Sequence, residues 1–261
     1  MKRFISLTLI TLTFILTPIL FNSYSDSITK VAQIPIQDGG RIKPLDTVAR
    51  QTLLSLQGKQ SVKLNNRSLL PIEWLMLTQS SPNITDDLDI FLIENPQVFS
   101  FVDDKYYKQK YRVSFNFLIQ YQDYILGQAT QAEQLKSKQR SPLQQEFVTL
   151  KQRLFLYSRL KNTIGFEQSN SLSSDLKSFL SINPSILKTI NVDQPNNDLI
   201  LLNMFFKQFK IAADNSLYSI IPSQDHLPNS DWDSYGNAVL KSLAPEIPVH
   251  PLVYSLSYIH D

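Results

Sequence analysis

The chain contains no cysteine, only three histidines and only six glycines, and it carries no long run of one charge. Each shortage closes off a class of chemistry. Without thiols there can be no disulfide, iron–sulfur cluster, thiolate zinc site or covalent c-type haem attachment through Cys-x-x-Cys-His. His226, His250 and His260 are the only imidazoles, and none is spaced i, i+4 from another as a helical metal pair would be. Their bland reading, as ordinary loop or surface histidines, is the expectation. Gly-x-Ser-x-Gly, His-Glu-x-x-His and Gly-x-Gly-x-x-Gly are all missing, and so is the Gly-Lys-Ser/Thr ending of a P-loop. No catalytic residue and no metal ligand is therefore assigned. A formal charge of +2 gives nucleic-acid binding no electrostatic support.

What is present suits a packed body. The 261 residues are 43% hydrophobic, with fifteen phenylalanines and eleven tyrosines, enough for one substantial core or two small ones. At the start, Lys2 and Arg3 precede the apolar run Phe4 to Phe21, followed by the small residues Ser23 and Ser25. This reads as a secretory signal cleaved after Ser25, or as a retained membrane anchor over residues 1–25. Either way residues 26–261 are expected outside the cytoplasm, because the basic end stays inside. No second apolar stretch reaches spanning length.

The segment Ile34 to Gly58 carries the most local information. Asp38-Gly39-Gly40 is a turn signal, since glycine reaches positive φ without steric cost. Arg41 and Lys43 flank Ile42 at strand spacing, so both cations leave one face. Pro44 delays the helix until after itself, Asp46 is expected to cap it, and Gly58 stands where it should stop. Val48, Ala49, Thr52, Leu53 and Leu56 form its apolar side. Gly39, Gly40, Pro44 and Asp46 thus make a structural corner, and Arg41 and Lys43 are the candidate site for an anion or an acidic partner.

Further along, Pro71 opens a short helix, Asn83 to Asp89 reads as a polar loop, and Ile90 to Ile93 has strand length. The acidic cluster Asp86, Asp87 and Asp89 lacks the glycine and distal glutamate of a calcium loop and reads as solvated. Tyr106 to Val113 interleaves cations and aromatics as an edge strand would. Ser114 caps a helix through Phe117, Tyr121, Tyr124 and Ile125. Gln128 to Arg140 is a solvated helix or the link of a helical hairpin. Ser141-Pro142-Leu143-Gln144 is a capping box, and Leu143, Phe147, Leu150, Leu154 and Tyr157 make one buried stripe packed antiparallel on the preceding helix. A possible internal boundary falls near 162–170. Leu172 to Leu180 and Leu199 to Ile211 are amphipathic helices, Tyr218 to Ile221 a short strand, and Trp232 to Leu243 and His250 to Asp261 further helices. Trp74 and Trp232 are expected as core anchors. The fold class is mainly α with a few short β-strands.

The phrase Gly40-Arg41-Ile42-Lys43-Pro44-Leu45-Asp46-Thr47 resembles one in the extracytoplasmic region of the Ccs-type (system II) cytochrome c synthetases. The likeness continues in order through Ile72-Glu73-Trp74-Leu75, Phe91 to Pro96, Tyr111 to Phe115 and the helical block Ser141 to Leu160. The resemblance implies a non-enzymatic, extracytoplasmic component of cytochrome c assembly, working beside a membrane haem-handling synthetase subunit and docking that subunit or apocytochrome c. It implies haem contact only indirectly, through the membrane partner, whose haem histidines and tryptophan-rich motif have no matching positions here. The missing membrane helices suggest a split subunit, a truncated gene product or a stand-alone relative. Lacking thiols, the chain cannot reduce the apocytochrome's sulfurs itself. The alternative is an exported peptide- or ligand-binding module unrelated to haem. A third reading, a hydrolase using Asp225 and His226, has less behind it.

Overall fold

The computed structural model describes residues 26–100, 102, 111–166, 169, 171–181, 197–222, 232–244 and 247–261. Tyr106 to Lys110 of the expected strand Tyr106 to Val113, and Asp225 and His226, lie outside these residues. Helices dominate, joined by three separate two-stranded antiparallel ribbons, so the fold is mainly α with a minor β part.

A short helix α1 (residues 26–32) leads into the first ribbon, β1 (Pro35–Asp38) with β2 (Arg41–Pro44), registered from Pro35 opposite Pro44 to Asp38 opposite Arg41. Two residues close it. Gly39 and Gly40 have φ of 58° and 75°, the pair of positive values that a primed hairpin turn needs to match strand twist. Helix α2 (Leu45–Gln57) follows at once and ends on Gly58, whose φ of 72° returns its amide to the Leu54 carbonyl. Val48, Ala49, Thr52, Leu53 and Leu56 are all buried, as their spacing predicts. Asp46 is not the cap. Pro44 holds the last extended backbone (φ −63°, ψ 147°), and the helix starts at Leu45. Asp46 therefore lies inside the first turn, where its carboxylate faces the helix dipole's positive end and accepts from Arg50 Nε at 2.6 Å.

The second ribbon, β3 (Val62–Leu64) with β4 (Arg67–Leu69), turns on Asn65 and Asn66, both at positive φ. Helix α3 (Pro71–Ser80) begins at its proline, and the Glu73 carboxylate accepts from the Leu70 amide at 2.8 Å. The segment read as a polar loop instead contains helix α4 (Pro82–Asp86), because Pro82 at the first position pre-sets the turn. β5 (Phe91–Leu92) pairs with β6 (Arg112–Val113), and Asn95 caps the 3₁₀ turn Pro96–Phe99. Ser114 does cap helix α5 (Phe115–Ile119), but the helix breaks near Tyr121 and resumes as α6 (Gln122–Glu133).

Helix α7 (Pro142–Lys161) opens on the expected capping box. Ser141 Oγ accepts from the Gln144 amide at 3.2 Å, and Gln144 Oε1 accepts from the Ser141 amide at 2.9 Å. It packs on α6, with Tyr124 edge-on to Phe147 at 5.8 Å and Lys151 paired to Glu133. Beyond it come α8 (Leu172–Ser181), α9 (Asn197–Asp214), α10 (Tyr235–Lys241) and α11 (Pro251–His260). Trp232 lies before α10, not in it: Ser234 caps the helix, and Asp233 bridges Ile221 instead.

One apolar core spans the chain on both sides of residues 162–170. One of its aromatic groups is built on Phe91, Phe115 and Tyr157, another on Phe166, Phe179, Phe209 and Tyr235. Polar stitches join the parts. Gln37 exchanges two backbone hydrogen bonds with Ser219, Gln79 Nε2 donates to Tyr218 Oη at 2.9 Å, and the Leu217 amide donates to Thr163 Oγ1 at 3.0 Å. Among the described residues no helix is long and apolar enough to cross a membrane.

Candidate functional sites

The hairpin corner separates the two cations that the sequence groups together. Lys43 Nζ lies 2.7 Å from Asp38 Oδ2 and 2.7 Å from Gln51 Oε1, and its side chain is only 20% exposed. It braces the hairpin against α2. Arg41 is exposed and has no ion-pair partner among the described residues. Beside it Ile42 is 59% exposed, the largest such value for an aliphatic side chain among those described. The turn thus presents an isoleucine and a guanidinium on a backbone held by glycine geometry, ribbon pairing and a buried helix.

A buried polar cluster was not legible as such. Asp86 and Lys161, each with a 6% exposed side chain, pair at 2.8 Å. Tyr157 Oη donates to Asp86 Oδ1 at 2.9 Å, and Lys161 Nζ stands 4.6 Å from the centre of the Phe115 ring. Burial, with the Asp86 charge beside it, drives the Tyr157 phenol well above its ordinary range, so it stays a donor. The solvated-loop reading of Asp86 is therefore wrong: α4 turns it inward to meet the end of α7. The clue lay in spacing. Lys161 continues the stripe Leu154, Tyr157 by four more residues, so a lysine falls where the helix buries its side. These groups satisfy one another's charges and hydrogen bonds.

A second buried cation clamps the middle of α7. Arg153 donates through Nε to the Ser55 carbonyl at 3.0 Å and through Nη1 to the Leu92 carbonyl at 2.6 Å, while Glu94 lies 3.2 Å from Nη2. Its planar fork ties the end of α2 to β5. Glu146 nearby accepts from the Glu94 amide at 3.0 Å, and burial raises its carboxyl above the ordinary value.

The histidines diverge. His250 is a helix cap, its Nδ1 accepting from the Leu252 amide at 3.2 Å. His260 does not behave as a surface residue: its side chain is 9% exposed, and Nδ1 is buried with no hydrogen-bond partner. Two cavities meet at its ring and at Gln79. One is lined by apolar residues including Val31, Met76, Ile164 and Leu256, the other by Lys161, Asn162, Ser169 and Ser80. Both are partly open to solvent and share Gln79 and His260 as a common wall. Among the described residues no group of histidines and carboxylates could hold a metal ion. Trp74 is fully buried, as expected of an anchor, and Trp232 is half-buried.

Comparison with family models and with curated protein sequences finds no match to the chain.

Proposed function

We propose that this protein is a non-enzymatic extracytoplasmic component of system II cytochrome c assembly, and that it docks onto a membrane haem-handling subunit through the Arg41–Ile42 hairpin tip. The observation that carries the reading is the exposed isoleucine and unengaged arginine on an otherwise braced corner, in the phrase that resembles the synthetase family. A rigid tip loses little conformational freedom on binding, which is how a small contact becomes an effective anchor. Arg41 suits a carboxylate-bearing loop on the partner; Lys43, already engaged, keeps the tip in shape. Haem stays with the membrane subunit, as the resemblance implies.

The test is co-purification of the full chain with a polytopic membrane protein bearing a tryptophan-rich motif, together with haem staining of c-type cytochromes in the host. R41E with I42D should weaken co-purification and lower holocytochrome c by about tenfold or more at unchanged protein level, as loss of an interface hot spot does. Full maturation in a strain lacking this chain would end the assembly role. Full maturation and unchanged co-purification with the double variant would end the tip's part in it.

A further inference from the structure

Helix α11 ends in a constellation that the docking role does not use. The Asp261 carboxylate caps α8: Oδ1 accepts from the Leu172 amide at 2.6 Å, and Oδ2 from Ser171 Oγ at 3.0 Å and the Ser173 amide at 3.2 Å. One residue earlier the His260 ring is wedged against Gly165, where an added Cβ would lie 2.3 Å from Nε2. No side chain but glycine's lets the ring in. The last two residues thus join α11 to α8, to the Ile164–Phe166 turn and to Gln79 of α3, and the His260 ring forms part of the wall of the apolar cavity with Val31, Met76 and Leu256.

We propose that His260 and Asp261 form an acid-sensitive latch: protonating the buried imidazole releases α11 and α8 from the body and opens the apolar cavity beneath them.

Among the described residues, the surroundings of the ring suit its neutral form. Lys161 lines the polar cavity on the same side, and its charge is already matched by Asp86. Asp175 of α8 is held by Ser169 Oγ at 2.6 Å, and Lys177 of α8 lies over the Tyr258 ring at 5.2 Å. Gln79, Ser80 and Asn162 are uncharged, and α1 offers the cavity only Val31. Among the described residues Asp261 is the nearby carboxylate, 3.8 Å from Nδ1, but its oxygens already accept three hydrogen bonds and lie beyond bonding distance. Burial accordingly holds the imidazole below its ordinary value, against the opposing pull of Asp261 and the Gln79 backbone. Such a group binds fewer protons folded than unfolded. Its stabilising share is complete above the unfolded value of 6.5 and is lost as pH falls below that, levelling off under the folded value. Asp261 behaves separately: its hydrogen bonds outweigh its burial and keep it ionised to below its ordinary 3.8, so the cap survives the histidine's window.

The experiment is a pH series on the full chain between about pH 7.5 and about pH 5, following imidazole NMR signals and amide exchange corrected for intrinsic rates. His260 should titrate below 6.5, and protection in α8 and α11 should fall about tenfold for each unit of that displacement. H260Q, uncharged throughout, should show no such fall. An imidazole midpoint at or above 6.5 in the wild type would overturn the latch, whether or not H260Q folds. So would acid loss of protection of equal size in H260Q.

Discussion

Lys161→Met tests the buried pair at the centre of this fold. The ammonium and the Asp86 carboxylate stand 2.8 Å apart with nearly all of both side chains out of water. At an effective dielectric of about 20 their attraction is about 6 kcal/mol, most of it offset by what burying two charges costs. The pair is therefore worth little against an apolar replacement, yet breaking it is expensive. Methionine would fill the lysine stem's space against Phe115 and leave Asp86 with the Tyr157 hydroxyl but no cation. The expected loss is about 3–5 kcal/mol in urea unfolding, with a fall in Tm of about 10 °C. D86N/K161M removes the stranded charge as well, and an asparagine oxygen can still accept from Tyr157. That double variant should recover to within about 1–2 kcal/mol of wild type, so a double-mutant cycle should return a coupling of several kcal/mol. A loss under about 1 kcal/mol for K161M alone, the size of an exposed ion pair, would refute the reasoning. So would a double variant no more stable than the single one.

Two backbone predictions are simpler. Gly40→Ala meets no neighbouring atom but must hold φ at 75°, so it should cost about 1 kcal/mol by urea titration and leave the core intact; an unchanged midpoint would mean that the hairpin does not form as described. Ser141→Ala deletes one half of the α7 capping box and should lower stability by about 1 kcal/mol, with Ser141→Asp close to neutral.

Local order was read well from the sequence where it arises from neighbours in the chain. The Gly39-Gly40 turn, the start of α2 after Pro44, its stop at Gly58, the Ser141 box and the stripe from Phe147 to Tyr157 all depend on contacts within a few residues, and each forms as the pattern predicts, with Leu143 at the stripe's start only half-buried. Asp46 shows where such reading slips: one residue of offset moves a carboxylate from cap to first turn, and both placements suit the same helix dipole. The Asn83 to Asp89 segment slips for another reason. Its polar residues read as solvated, while a short proline-started helix turns Asp86 inward.

By itself the sequence determined the helical character, the glycine turns, the Ser141 capping box and the absence of thiol chemistry. Only the tertiary structure decided which charges are buried and which are available. Asp86 and Lys161 are 75 residues apart, and His260 reaches Gly165 across 95. Arg41 and Lys43, two residues apart, end in opposite conditions because Gln51 and Asp38 engage one and leave the other in solvent. Whether a charged group meets water or a partner depends on packing between distant elements; local spacing shows at most that Lys161 falls on a buried side, not that Asp86 meets it there.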